Sequence, residues 1–232
     1  ECDIMASFES FMKDVLPYVP GCPDTVVENA LRSSSIELCE KAGVYTKELD
    51  PISTVSGIYE YEFGQPAGTK VDKIIWAIYN GKDLEAITPR GLESRKPKWR
   101  ETSNLATPEY FIQQSPDLFW VVPIPDTNLT NGIILNVSLK PSRSSNNIAT
   151  EIADDYRDGI IFGALYRLLR MPARDWTDPN AARDYAGLFA NTVQEAEIKA
   201  RRADIGVGRT VKYSGVGVSA SRRYRRYGSE KG

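Results

Sequence analysis

The sequence contains no histidine among its 232 residues. This absence excludes Ser-His-Asp and Cys-His nucleophile systems, histidine metal ligands and an imidazole general base. The sequence also lacks the G-x-x-x-x-G-K-[ST] phosphate loop, the G-x-S-x-G nucleophile elbow and the D-x-D-x-D-G calcium loop. Carboxylate chemistry stays open, and Asp154, Asp155 and Asp158 could bind a hard cation from one side of a helical turn. The same residues equally suit the positive end of a helix, so we expect no enzyme activity, metal or cofactor.

Cysteine is scarce and long apolar runs are missing. Cys2, Cys22 and Cys39 are an odd number without C-x-x-C spacing, and the first twenty residues lack the pattern of a secretory signal. We therefore expect a reduced, intracellular protein in which Cys22 and Cys39 are packed side chains. The apolar stretches are far shorter than a membrane span, so no segment is expected to cross a bilayer.

Charge is distributed unevenly along the chain. Residues 199–232 contain ten Lys or Arg and two acidic side chains, a net charge of +8, whereas the other 198 residues carry a net charge of −10. Four arginines and two tyrosines fill the six positions from Arg222 to Tyr227. A basic segment that follows an acidic body indicates that this segment has a binding partner of its own.

Two helices are predicted near the N-terminus. The first covers residues 3–15, in which the apolar residues at helical spacing are Phe8, Phe11, Met12 and Val15. The second runs from Thr25 to about Ala42, with Asp24 or Thr25 as a cap, a capping-box pattern from Thr25 to Glu28, and Gly43 as its stop. The residues predicted to face inward from the second helix are Val27, Leu31, Leu38 and Cys39.

Residues 50–141 are rich in β-branched and aromatic side chains and predict strands. The stronger candidates are residues 57–63, 71–79, 118–122 and 133–139, and the weaker ones are 84–88, 98–101 and 110–113. This pattern predicts an antiparallel sheet or small sandwich of five to seven strands. We interpret Trp76, Trp99, Trp120 and Trp176 as core or interface side chains.

Two further helices are predicted after a polar connector at residues 142–147. One covers residues 148–171, with Ile152, Tyr156, Ile160, Gly163 and Arg167 on one stripe. Because Gly159 and Gly163 each cost a helix roughly 1 kcal/mol relative to Ala, they indicate a closely packed partner. The other runs from Asp178, an N-cap followed by Pro179, to about Asp204. Its predicted buried stripe is Tyr185, Phe189, Val193, Ala196 and Ala200.

These patterns together predict an α+β fold with three parts. A helical bundle core comprises residues 1–49 and 142–204, and a β-rich insertion domain comprises residues 50–141. Residues 205–232 form an extended basic C-terminal arm, because glycines and serines leave them too poor in apolar side chains to fold alone.

The order of these parts resembles the head-to-tail adaptor proteins of tailed bacteriophages, of the kind called tail tubular protein A. The resemblance lies in a Pro-Gly-Cys-Pro-Asp turn, Val27-Glu-Asn-Ala-Leu-Arg32, Ile36-Glu-Leu-Cys39, the β-rich insertion, Tyr156-x-x-x-Ile160 and a long alanine-rich final helix. It implies a virion protein, made in the bacterial cytoplasm, that forms a dodecameric ring under the portal. DNA passes through such a ring without sequence-specific binding, the C-terminal arm reaches into the portal, and nozzle or tail proteins attach below.

The C-terminal arm has two open interpretations. In the first, the residues with β character, Val211, Tyr213, Val216 and Val218, add a strand to a partner sheet. Arg222, Arg223, Arg225 and Arg226 then meet carboxylates, while Tyr224 and Tyr227 act as interface anchors. In the second, the arginines bind phosphates and the tyrosines stack on bases of a nucleic acid. The acidic body argues against the second interpretation because it offers no broad basic face.

Overall fold

The computed structural model describes residues 5–101 and 104–204, with side chains up to Arg201. The chain divides into two units, residues 1–200 and 201–232, and the fold described below is that of the first unit. Helices and mostly antiparallel sheets make up this unit, so the predicted α+β class is confirmed.

Six α-helices and eleven strands occur in the described residues. The helices are α1 (Glu9–Val15), α2 (Asp24–Ala42), α3 (Pro89–Arg95), α4 (Thr150–Asp155), α5 (Arg157–Leu169) and α6 (Pro179–Asp204), and a 3-10 turn, Leu16–Tyr18, follows α1. The strands are β1 (Met5–Ser7), β2 (Thr46–Glu48), β3 (Ile52–Thr54), β4 (Glu60–Glu62), β5 (Thr69–Tyr79), β6 (Lys82–Asp83), β7 (Glu85–Ala86), β8 (Tyr110–Gln113), β9 (Leu118–Val122), β10 (Leu129–Pro141) and β11 (Asn147–Ala149).

Strand β10 is the centre of the largest sheet. It pairs antiparallel with β5, from Ile133 opposite Tyr79 to Pro141 opposite Thr69, and its other edge pairs with β2 and β3. Strand β6 completes this five-stranded sheet beside β5. A second sheet has the order β4-β9-β8-β7, in which β7 and β8 are parallel, and β1 pairs with β11 in a small third sheet.

The outer edge of β5 is covered by a side chain and a loop. The Ile74 N–H donates to Gln113 Oε1 at 3.1 Å, and Gln113 Nε2 donates to the Asp72 carbonyl at 3.2 Å. The Val71 N–H donates to the Pro116 carbonyl at 3.3 Å. These bonds satisfy backbone groups that an open edge strand would present to other chains.

One large hydrophobic core joins the helices other than α3 to the two larger sheets. Helix α2 contacts both α5 and β10, and all four of its residues predicted to face inward, Val27, Leu31, Leu38 and Cys39, are fully buried. Aromatic residues of the second sheet enter the same core, where the Phe63 and Phe119 ring centroids lie 4.9 Å apart. The division into a helical core and a β-rich insertion at residues 49 and 142 stays a prediction.

The N-terminal predictions need two corrections. The helix predicted over residues 3–15 begins only at Glu9, because Met5–Ser7 pairs as a strand with Asn147–Ala149. Helix α2 begins within one residue of its predicted start, but the capping prediction for it is wrong. Its N-cap is Pro23, no side chain caps it, and the Pro23 carbonyl accepts the Val26 N–H. Gly43 ends the helix at φ +61°, so that prediction is confirmed.

Several further predictions are confirmed or corrected by the strand and helix bounds. Strands are present at the predicted positions 71–79, 110–113, 118–122 and 133–139, whereas those at 57–63 and 84–88 are shorter than predicted. The strand predicted at 98–101 is wrong, since this segment follows α3 and Lys98 adopts φ +60°. The helix predicted over 148–171 is a strand and two helices, interrupted at Tyr156 (φ −122°, ψ 23°).

Two glycines of α5 allow its neighbours to approach closely. A Cβ built on Gly163 would lie 2.1 Å from Ser34 Oγ of α2 and 2.9 Å from the Phe189 ring of α6. A Cβ on Gly159 would lie 2.5 Å from Thr192 Cγ2 of α6. No real Cβ occupies such positions, so the predicted close packing at these glycines is confirmed.

We predict that Gly163→Ala lowers the free energy of unfolding by about 1–3 kcal/mol, because the added methyl group forces Ser34 or Phe189 out of place. The loss outweighs the roughly 1 kcal/mol that Ala gains over Gly in a helix. Urea unfolding followed by circular dichroism measures the change.

Gly187→Ala is the matched control, because Gly187 lies within α6 and, apart from its own helix backbone and chain neighbours, no atom of the described residues lies within 4 Å of its added Cβ. This variant should be as stable as the parent protein or up to about 1 kcal/mol more stable. Equal stabilities for the two variants would contradict the close contact at Gly163.

Candidate interaction surfaces

Helix α6 carries the candidate surfaces. Its N-terminus is capped as predicted by Asp178, whose Oδ1 accepts the N–H groups of Asn180 at 3.0 Å and Ala181 at 3.1 Å. Phe189, Val193 and Ala196 are buried, and Tyr185 and Ala200 are half-buried, so the predicted stripe is confirmed. The helix has 26 residues and is about 39 Å long. A cleft borders each side of the buried stripe.

The first cleft, which we call the aromatic cleft, lies between α6, α5, α1 and the 3-10 turn and has a volume of about 500 Å³. The Tyr185 ring meets Tyr18 edge-on at 6.1 Å and stacks on Phe162 at 5.9 Å between centroids. Tyr18 is 55% exposed. Lys13 and Asp158 lie on the rim. Burial, reinforced by the neighbouring Tyr18, raises the pKa of Tyr185.

The second cleft, which we call the alanine cleft, lies on the other side of α6 and has a volume of about 490 Å³. Ala186 and Ala190 form its α6 wall, and Tyr166 of α5 lines it as well. The remaining lining residues are Phe189, Val193, Gln194 and Glu197 of α6 and Glu37 and Lys41 of α2. Small wall residues over a partly apolar lining leave a concave space that can accept a side chain from outside.

The aromatic ring at the alanine cleft is held in place by two arginines. Arg170 Nη1 donates to the Tyr166 hydroxyl at 2.9 Å, and its guanidinium lies 5.9 Å from the ring centroid. Arg167 lies 5.6 Å from the same centroid and pairs with Glu37 of α2. Such cation–π contacts, together with the hydrogen bond, restrict the orientation of the Tyr166 ring.

A charged pair also joins α5 to α1 beside the aromatic cleft. Arg157 of α5 donates to Asp14 Oδ2 at 2.6 Å and to the Ser10 carbonyl at 2.7 Å, and it lies 4.5 Å from the Phe11 ring centroid. All three partners belong to α1. Both charged groups are partly shielded from water, so salt screens this pair less than a fully exposed one.

The three carboxylates considered above for a cation lie in exposed positions around the helix break at Tyr156. Asp155 Oδ2 accepts a hydrogen bond from Lys199 Nζ of α6 at 3.1 Å. Over residues 5–101 and 104–204, no three acidic or cysteine side chains are placed to hold a metal ion. Asp154, Asp155 and Asp158 therefore do not form the cation site considered above.

The tryptophan interpretation holds most clearly for Trp99, which is buried beneath α3 in a small second core. Its ring centroid lies 5.3 Å from Tyr59 and 5.6 Å from Trp120, and Arg100 covers it at 4.3 Å. The indole N–H groups of Trp99 and Trp120 each donate to a glutamate. This cluster packs α3 against the second sheet. Its two indole N–H groups already have hydrogen-bond partners within the chain. Trp76, Trp120 and Trp176 are half-buried.

The two described cysteines are packed side chains, as predicted. Burial raises the pKa of the Cys39 thiol to about 12, and the carboxylates of Asp72 and Glu40 act in the same direction. Burial also raises the pKa of Cys22, although the nearby Arg174 opposes this shift. Both thiols are free. Cys2 lies outside the described residues.

The partner-binding residues predicted from the sequence all lie outside the described part of the chain. They are Val211, Tyr213, Val216, Val218, Arg222, Arg223, Tyr224, Arg225, Arg226 and Tyr227. The two clefts, in contrast, were missed by the sequence reasoning. The sequence offered only weak signals for them: an aromatic residue, Tyr18, between two prolines, and the small residues Ala186, Gly187 and Ala190 beside the buried stripe of α6.

Comparison with protein families identifies the chain as a whole. A family model described as SU10 adaptor protein matches residues 3–212. The chain belongs to the SU10 adaptor protein family. The protein is therefore a bacteriophage head-to-tail adaptor and a structural protein of the virion, so the resemblance to phage adaptors is confirmed. A search of curated proteins gave no match. No helix in the described stretches of the chain has the length and apolar character needed to span a bilayer.

We predict that Cys39 resists thiol reagents in the folded protein, because a buried thiol with a raised pKa forms almost no thiolate at pH 8. In a Cys2→Ser protein, Ellman's reagent at pH 8 should label Cys39 at least a hundredfold more slowly than in guanidinium chloride, and mass spectrometry identifies the labelled site. Equal labelling rates in the folded and denatured protein would contradict the buried position.

Proposed function

We propose that this adaptor forms a ring between the portal and the tail and docks into the portal through its C-terminal arm, residues 205–232. The proposal rests on the uneven charge of a chain that belongs to an adaptor family. Residues 199–232 carry a net charge of +8, and the remaining residues carry a net charge of −10. A ring brings many such basic segments together. Because like charges repel at short range, the segments need an acidic surface to receive them.

The sequence of the C-terminal arm supports docking in an extended conformation. Val211, Tyr213, Val216 and Val218 have enough β character to add a strand to an exposed sheet edge of the portal. The four arginines between positions 222 and 226 can pair with carboxylates in charge-assisted hydrogen bonds. Tyr224 and Tyr227 belong to the residue types that most often anchor protein interfaces.

The energetics of the C-terminal arm favour assembly on a partner. Ordering the backbone of each arm residue costs about 1–2 kcal/mol, so a single arm binds weakly. A ring gains by avidity, since many arms engage one portal together. We therefore propose a monomer that assembles into a dodecamer, like the rings of tail tubular protein A, when the portal is present.

The body of the protein has a different role in this proposal. Residues 1–49 and 142–204 form the helical core of the ring, and the β-rich insertion at 50–141 receives the tail or nozzle proteins below. DNA passes through the ring without sequence-specific binding, because a body with a net charge of −10 has no broad basic face.

Nucleic-acid binding is the second candidate function, and the arginine and tyrosine run at positions 222–227 favours it. Guanidinium groups would bind phosphates and tyrosines would stack on bases. The two functions differ in the partner of the C-terminal arm, so one set of variants can distinguish them.

We predict that deletion of residues 205–232 abolishes association with the cognate portal, as seen by electron microscopy and sedimentation of the mixture. Exchange of all four arginines, Arg222, Arg223, Arg225 and Arg226, for Glu should weaken association at least tenfold, because the substituted charges repel an acidic socket. Exchange of the same four residues for Lys is the matched control. It should retain most of the affinity because the charge is kept, although bidentate hydrogen bonds are lost.

Circular dichroism should show a folded body in all three variants. Undiminished portal binding by the deletion variant would overturn the docking proposal. Micromolar DNA affinity at physiological salt, with a steep dependence on salt that the Glu variant loses, would favour the second candidate function.

A further inference from the structure

We infer that the outer edge of β4 binds residues 223–227 from the C-terminal arm of a second copy of the chain. The arm segment adds an antiparallel strand to the second sheet. This inference rests on the extended C-terminal arm proposed above, and it gives the arm an acidic binding site in the free protein, before the portal is present.

The edge of β4 that faces away from β9 has free backbone groups. The Tyr59 carbonyl accepts a hydrogen bond from β9 at 2.9 Å, and the Phe63 N–H donates to the residue that precedes β9 at 3.2 Å. Bonds to one neighbour alternate along an antiparallel strand, so the backbone groups of Glu60 and Glu62 point away from β9. None of these groups has a hydrogen-bond partner among residues 5–101 and 104–204. Such an edge can accept a strand from another chain.

The side chains of this edge carry negative charge. Glu60 and Glu62 lie on the same face of β4, and both are exposed. Glu60 accepts a hydrogen bond from the uncharged indole N–H of Trp120 at 2.8 Å. Neither carboxylate forms an ion pair with any residue in the described part of the chain. The edge therefore offers two carboxylates to a cationic partner.

The two cations that contact β9 and its preceding turn do not cancel this charge. Lys70 Nζ lies 2.6 Å from Asp117 Oδ1. Arg100, which lies over the Trp120 ring, has its Nη1 2.7 Å from Glu93 Oε1. Because each of these cations already has a carboxylate, the two glutamates of β4 remain as an excess of negative charge.

The sequence of the arm is complementary to that of β4. Strand β4 has the sequence Glu-Tyr-Glu, and residues 223–225 have the sequence Arg-Tyr-Arg. Alternate side chains of a strand share one face, so two arginines can meet two glutamates along a single edge. Opposite charges at directly opposed positions stabilise an antiparallel pair. The proposed register pairs Arg223 with Glu62 and Arg225 with Glu60.

An exposed apolar side chain extends the site beyond β4. Ile58 lies just before β4 and is 45% exposed. In the proposed register it meets Tyr227. The Tyr61 hydroxyl donates to the Ile58 carbonyl at 2.8 Å, and the Gly57 N–H donates to the Pro125 carbonyl at 3.0 Å. These bonds hold the turn that carries Ile58 in place, and a preorganised contact binds at a lower entropic cost.

A contact between copies suits the ring proposed above. The basic segment and the acidic edge are two different patches of one chain, so each copy can give its arm to one neighbour and receive the arm of another. Contacts between unlike patches produce the head-to-tail order that a ring needs. A single contact is weak because the arm must be ordered, so the free protein is a monomer when dilute. The portal competes for the same arginines, and its arrival should release the edge of β4.

An exchange of charge between two variants tests the contact. Glu62→Arg and Arg223→Glu each place like charges opposite one another, so each variant alone should self-associate at least threefold more weakly than the parent protein at low salt. When the two variants are mixed, the arm of each fits the edge of the other. Association should then return to within about twofold of the parent level. Sedimentation velocity of the full chain without portal measures the average mass.

Arg222→Glu is the matched control, because the same change of charge falls on a side chain that points to the other face of the added strand. Mixed with Glu62→Arg, it should restore no association. Hydrogen exchange is the second readout. The N–H groups of Glu60 and Glu62 should exchange at least threefold more slowly in the concentrated parent protein than in the protein that lacks residues 205–232. Circular dichroism should show that all the variants are folded.

Three results would overturn the contact. One is a parent protein that stays monomeric at every concentration, and another is a mixture that associates no better than its two components, as a contact within one chain would give. The third is restored association with Arg222→Glu or unchanged exchange at β4, since either would mean a general attraction of charges without strand pairing.

Portal binding separates this inference from the proposed function. Glu62→Arg keeps the arm intact, so it should bind the portal at least as tightly as the parent protein. If the charge exchange restores no association while the arm deletion abolishes portal binding, the docking proposal stands and the contact at β4 fails. If the arm deletion leaves portal binding intact while the charge exchange restores association, the contact at β4 stands and the docking proposal fails.

Discussion

The close approach of three helices at Gly163 is the contact on which the helical half of the structure depends. A glycine at this position leaves space for Ser34 of α2 and the Phe189 ring of α6 to reach the α5 backbone. That approach sets how deeply α6 sits on α5. Both clefts lie beside this contact between α5 and α6, and Arg167, one turn further along α5, pairs with Glu37 of α2. Glycine destabilises an isolated helix, and at this position the close packing of Ser34 and Phe189 offsets that cost.

Features that depend on local sequence were predicted well. Helix α2 and strand β5 were found from periodicity and from Gly43, because a buried face repeats every few residues within the element itself. The contact at Gly159 and Gly163 was also predictable, since two glycines in a helix require a structural reason. Features that depend on distant segments were missed. Met5–Ser7 becomes a strand only because Asn147–Ala149 lies beside it, and the interruption at Tyr156 leaves no clear local signal.

The candidate sites divide along the same line. The C-terminal arm was proposed from its charge and composition, which the sequence carries openly. The clefts are built from α1, α2, α5 and α6 together, so no single stretch of sequence contains them. Tyr18 and Ala190 stand out only in the folded structure, where the Tyr18 side chain is exposed and the small Ala190 side chain lines an open cleft.

The side chain of Gln113 along β5 has a consequence for how such a protein is produced. At high protein concentration, unpaired sheet edges invite wrong pairing between chains. Gln113 accepts the Ile74 N–H and donates to the Asp72 carbonyl, so these two backbone groups of β5 are no longer open to another chain. A free subunit is therefore less prone to aggregate through this edge while it is being expressed and purified.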